Sequence, residues 1–147
     1  GKPHVKYPVY SHRIYDVISD DYSVLHEPDI LIVEGINVLQ LPSNQQIYAS
    51  DFFDFSIYVD AEIDNIEKWY IERFEMLMDL AQDQPDNYYY NYAIGDRDEA
   101  IAMAREVWKS VNLKNLQEFI APTMTRADLI IHKSDNHHID YLNIKKY

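Results

Sequence analysis

The stretch ILIVEGINVL, residues 30–39, decides how this chain is read. Four apolar residues, three of them β-branched, run into Glu34, and Gly35 follows at once. A continuous apolar run of this length predicts a parallel strand covered on both faces. Glu34 then closes the strand at its carboxyl end, where ligands of open α/β sheets bind. The question is what that carboxylate serves.

Working outward, DFFDFSIYVDA (51–61) predicts a second strand and ADLIIHKS (127–134) a third. Residues 5–18 read as loop followed by a short strand or turn, and QLPSNQQIYAS (40–50) as loop. Ile63, Ile66, Trp69, Tyr70, Phe74 and Leu77 keep helical spacing, so a helix is expected over about 61–81. After Gly95, Asp96 offers an N-cap to a long helix that Pro122 stops. Strands alternating with helices predict α/β architecture, a parallel sheet with flanking helices, in one domain over 1–147. Glu34, Asp60, Lys133 and Ser134 are then expected at carboxyl ends on one side of that sheet.

Composition narrows the function classes. The 147 residues carry 13 basic and 25 acidic side chains, net −12, which argues against a broad footprint on nucleic acid or anionic lipid. No apolar run approaches the roughly 20 residues that span a bilayer. Without cysteine there is no disulfide framework or thiolate metal site. The N-terminus has no apolar signal core, so a cytoplasmic location is expected. Thirteen tyrosines against three glycines favour flat apolar faces with polar tips over tight backbone approaches.

Several residues carry a functional reading beside a plainer one. Glu34 suits a Walker B-like position holding Mg²⁺ beside nucleotide phosphates, and equally a solvated strand end. In WYIERFEML, Tyr70, Arg73, Phe74 and Leu77 fall at i, i+3, i+4 and i+7. An arginine in such a stripe needs a partner, either a carboxylate or a phosphate. Tyr88, Tyr89, Tyr90 and Tyr92 can line a ligand pocket or pack upon one another. His12 fits a site donor or an ordinary loop histidine. His137 and His138 lack a third ligand at convincing spacing, so a metal cage is not expected.

Taken in order, YSHRIYDVI, PDILIVEGINVLQ, SDFFDFSIYVDA, WYIERF, NYYYNYA and ADLIIHKSDNHH closely resemble the C-terminal half of bacterial type I pantothenate kinases. The resemblance spans essentially the whole chain. It implies a P-loop kinase fold and a dimeric enzyme using ATP and Mg²⁺ to phosphorylate the 4′-hydroxyl of pantothenate, with feedback inhibition by coenzyme A. It implies that Tyr10, His12, Tyr15, Tyr70, Tyr92 and Asn112 bind pantothenate, with Tyr88 and Tyr89 lining or closing the pocket. It also implies that Arg73 serves the phosphates and the catalytic step, and that Phe74 forms a wall shared with the coenzyme A thiol arm. Lys133 and His137 would lie near adenine, and Glu34 at the Mg²⁺ end. Leu77 departs from the pattern, where an aromatic is expected. The larger departure is the phosphate loop: Gly1, Gly35 and Gly95 are the only glycines, and none begins G-x-x-x-x-G-K-[ST]. The expectation is a kinase portion inactive on its own. A non-catalytic pantothenate or coenzyme A sensor, and a P-loop kinase acting on uridine, are the alternatives.

Overall fold

The computed structural model describes residues 3–40 and 47–146, and the expected loop at 40–50 falls largely outside them. Two compact units emerge: residues 1–33 with 75–100, and residues 34–74 with 101–147.

The first unit opens with an antiparallel ribbon of β1 (His4–Ser11) and β2 (Asp16–His26). The sequence reading had given this stretch one short strand at most. Val5, Tyr7 and Val9 do alternate along β1, a strand signal that the reading missed beside Pro8, although Val5 and Tyr7 are exposed. Pairing shifts register between Pro8 and Tyr10, and Asp20 on the facing strand takes φ 62°. The turn joining the strands holds Tyr15 at φ 57°. A bulky residue in the left-handed region is strained, and such strain gathers at functional sites. The unit also contains α2 (Tyr90–Ile94). A Cβ at Gly95, directly after it, would meet the Asn91 carbonyl oxygen at 3.0 Å, which explains the glycine.

The second unit holds a three-stranded sheet in the order β3 (Ile57–Ala61), β4 (Leu129–Lys133), β5 (Ile139–Ile144). β3 and β4 run parallel, as expected, and pair Asp60 with His132 and Ala61 with Lys133. β5 runs antiparallel to β4, so the sheet is mixed where an all-parallel one was expected. A tight turn at 134–138 permits this, since antiparallel strands need no crossover. The core gathers Leu39, Tyr58 and Ala127, flanked by Val38, Phe53, Ile120, Met124 and Ile130. Asp128 ties the starts of the two parallel strands by accepting from the Ser56 amide (2.8 Å) and hydroxyl (2.7 Å). These bonds hold its carboxyl below the usual carboxylate range. Arg126 donates to the Leu39 carbonyl at 2.6 Å and the Ser50 hydroxyl at 3.0 Å, securing the chain that leads into the core.

The deciding stretch behaves otherwise than expected. Residues 30–35 form no strand, and Ile30 and Ile32 are 81% and 86% exposed. An apolar run specifies burial, but a strand also needs neighbours to take its N–H and C=O groups. Among the described residues no strand pairs with it. Only its end enters a core: the turn Gly35–Val38 delivers Leu39.

α1 (Ile63–Ala81) matches its expected span closely. Its buried positions are Ile71, Phe74, Met78 and Ala81, also at 3-4 spacing, so of the expected stripe only Phe74 is buried and the row is set about one residue further along. α3 (Arg97–Val107) starts at Asp96, whose carboxylate accepts from the Glu99 amide at 3.0 Å, the anticipated N-cap. Wide π-type turns follow at Trp108–Asn112 and Leu116–Ile120, before a 3₁₀ turn at Ala121–Arg126 that includes Pro122. No helix among the described residues is long and apolar enough to cross a membrane.

Candidate active site

In the first unit the ribbon's turn and the 82–92 segment meet through aromatic rings. Tyr15 stacks on Tyr88 with centroids 4.8 Å apart and planes 19° from parallel. Tyr89 meets Tyr15 edge-on at 6.4 Å and Tyr88 at 5.1 Å, while Tyr92 lies 6.3 Å from Tyr88. Tyr10 touches His12 at 5.2 Å and Tyr15 at 6.3 Å. Six expected pocket residues thus form one continuous cluster. The strained φ of Tyr15 sets its ring within stacking distance of Tyr88.

Two polar contacts brace the cluster. The Tyr88 amide donates to the Arg13 carbonyl at 3.2 Å, and the Arg13 guanidinium reaches Asp86 at 3.3 Å. Beside them lies an open cavity of about 530 Å³, lined by Arg13, Ile14, Pro85, Asp86, Asn87, Tyr88, Asn91 and Tyr92. It has the size of a small-molecule site. Its lining offers aromatic faces, two amide side chains and the Arg13–Asp86 ion pair. Sequence reasoning passed over Arg13 and Asp86, because a basic and an acidic residue 73 positions apart carry no local signal.

In the second unit Tyr70 lies 5.7 Å from buried Trp108. Asn112 closes the first π-type turn, a geometry often found at functional sites. Phe74 is buried at 8% exposure and serves the helix's apolar stripe. Arg73 is exposed, outside that stripe, and takes part in none of the ion pairs among the described residues. Its expected place in a buried row is therefore corrected: one residue's rotation, about 100° on a helix, sets it apart from Phe74.

Lys133 and His137 are brought together by a residue the sequence reading had assigned to packing. His137 stacks on Trp69 at 4.2 Å and 24°, and the Lys133 ammonium lies 5.0 Å from the Trp69 ring centre. The Trp69 indole N–H donates to the Asp135 carbonyl at 3.1 Å. Within the turn, the Ser134 hydroxyl donates to the Asn136 side-chain oxygen at 2.8 Å and the His138 carbonyl at 3.0 Å, and the His138 amide donates to Asn136 at 3.2 Å. Trp69 sits at a helical-stripe position, so its type alone could not reveal this platform. Beneath the turn, His132 bonds Asp140 at 2.7 Å and stacks on Tyr141 at 4.5 Å. The Asp140 carboxylate raises the His132 pKa above its ordinary value.

Glu34 is exposed and lies on no strand, contrary to the expected strand end. Among the described residues no group of three His, Cys, Asp or Glu gathers to hold a metal. Mg²⁺ uses one or two carboxylates with waters and substrate phosphates, so a lone Glu34 fits as one member of such a set and no more.

No family model matches the chain. Curated relatives do. It is 65% identical over 142 residues to a pantothenate kinase of Ligilactobacillus salivarius (strain UCC118), covering 97% of this chain and 46% of that protein. To the pantothenate kinase of Enterococcus faecalis (strain ATCC 700802 / V583) it is 63% identical over 147 residues, 100% of this chain and 48% of the relative. The pantothenate kinase of Levilactobacillus brevis (strain ATCC 367) is 58% identical over the same 147 residues, again 48% of its length. The chain spans about half the length of the curated relatives it matches. Over its whole length the chain is similar to about half of each of these pantothenate kinases.

Proposed function

We propose that this chain is the pantothenate-binding portion of a kinase that transfers the γ-phosphoryl group of ATP to the 4′-hydroxyl of pantothenate, the first step of coenzyme A synthesis. The observation that carries the reading is its 63–65% identity to curated pantothenate kinases over 97–100% of its length. The aromatic cluster supports it. Pantothenate has a carboxylate, an amide and hydroxyls around a gem-dimethyl carbon. Rings at Tyr15, Tyr88, Tyr89 and Tyr92 pack the methyls, while tyrosine hydroxyls and His12 satisfy polar groups; Asn112, in the second unit, is given a pantothenate role by the family resemblance. Tyr10 belongs to the same cluster, and Tyr70, like Asn112, owes its role to the family resemblance.

The remaining roles follow the same reading. Exposed Arg73 is available to phosphate oxygens, where a planar cation offsets charge growing in the transition state. The Trp69 platform holds Lys133 and His137 for the adenine end. Phe74 backs the wall shared with coenzyme A, the feedback inhibitor. Mg²⁺ would neutralise the phosphates, with Glu34 among its ligands. The complete enzyme is a cytoplasmic homodimer with a P-loop kinase fold, and residues 1–147 form part of its single domain.

Since the glycine-rich phosphate loop is absent from these 147 residues, they bind pantothenate without phosphorylating it. A thermal melt tests this. A ligand that binds only the folded state raises the midpoint. Pantothenate should raise it and uridine should not, and a coupled ADP-release assay should stay at blank. A shift with uridine alone would overturn the substrate assignment.

A further inference from the structure

We propose that His4 and His26 form a binding site for a divalent ion of the nickel–copper–zinc group, at the ribbon end remote from the tyrosine cluster. The two are register partners, the first residue of β1 and the last of β2. Their Nδ1 atoms lie 2.8 Å apart, with ring centroids at 4.6 Å and planes 69° apart. Nitrogens this close either share one proton or bind one ion.

Metal–imidazole bonds are about 2.0–2.1 Å long. Two such nitrogens on one ion are therefore about 2.9 Å apart at a right angle and about 3.4 Å apart at the tetrahedral angle. The observed spacing lies within about 0.1 Å of the first value, so little adjustment is needed to admit a square-planar ion. Cu²⁺ prefers that geometry and heads the affinity order of the first-row divalent ions, so it is the tightest ligand expected. Both side chains are exposed, which leaves room for water at the remaining positions. Among the described residues no third His, Cys, Asp or Glu completes the set. The ion is accordingly exchangeable.

Binding has a structural consequence. An ion joining His4 to His26 closes a loop containing Tyr10, His12 and Tyr15. It removes chain entropy from the opened ribbon, as any long-range cross-link does. The site rests on ribbon geometry alone and is independent of the kinase reading.

Calorimetric titration of the chain with CuCl₂, NiCl₂ and ZnCl₂ tests it. One equivalent of Cu²⁺ should bind most tightly, and His4→Gln or His26→Gln should each weaken it at least tenfold, with His138→Gln as the unaffected control. On the unaltered protein, Zn²⁺ should shift the imidazole ¹⁵N resonances of His4 and His26 together. Binding unchanged in both glutamine variants, or no shift of that pair on adding Zn²⁺, would overturn the assignment.

Discussion

Tyr15 and Tyr88, 73 residues apart in sequence, stack face to face at 4.8 Å, and Tyr15 adopts a left-handed backbone to do so. An aromatic pair contributes about 0.5–1.5 kcal/mol beyond its buried area. Tyr15→Ala should therefore weaken pantothenate binding by roughly 2- to 10-fold through loss of the stack alone. Tyr15→Phe keeps the ring and should bind nearly as well. Titration calorimetry separates the two. Equal losses would mean that the hydroxyl, not the stack, carries the contact.

Trp69 should report on the 133–138 turn. Trp69→Leu removes the ring beneath His137 and Lys133, and with it the indole donor to Asp135. The His137 ring protons, shielded by the stacked indole, should move downfield in NMR spectra, and Lys133 should gain mobility. Trp69→Phe should preserve part of the shielding while losing the hydrogen bond. An unchanged His137 spectrum in Trp69→Leu would remove the platform from the account of nucleotide binding.

Local signals explain what could be read beforehand. α1 carries its own evidence in the spacing of Ile66, Phe74 and Leu77, and Asp96 announces the start of α3. The parallel pair β3–β4 shows in two short apolar runs. Partners were harder to see. ILIVEG has the composition of a buried strand, yet nothing in six residues says whether neighbouring strands are present. β5 shows in sequence only as a final apolar segment of a polar tail, because six residues do not reveal which strand they pair with. Among site residues, the tyrosines stood out by number. Arg13, Asp86 and Trp69 act through contacts far apart in sequence, which only the fold displays.

The pair His132–Asp140 gives the second unit a pH dependence. Hydrogen bonding to Asp140, the largest cause, raises the His132 pKa, while His132 lowers that of Asp140. A raised histidine contributes stability fully present below its unfolded value near 6.5 and lost as pH rises through its folded value. The lowered carboxylate contributes stability present above its unfolded value and lost as pH falls through its folded one. The melting midpoint should therefore decline from about pH 6.5 upward through the folded His132 value, and again in acid as Asp140 protonates. His132→Gln should flatten the first decline. A slope unchanged in that variant would assign it to another group.

Ile32 tests the correction at residues 30–35. At 86% exposure it contributes little to packing in this chain, so Ile32→Lys should shift stability by no more than about 0.5 kcal/mol. Contiguous exposed apolar residues also promote association, and Leu31, Ile30 and Val33 lie beside it. The lysine variant should accordingly show less self-association in sedimentation at equal concentration. If Ile32→Lys instead lowered the melting midpoint by many degrees, the side chain would have to be buried and the run would be a strand after all. Unchanged stability with reduced association would mean that the run is a surface in this chain and that its apolar side chains drive self-association.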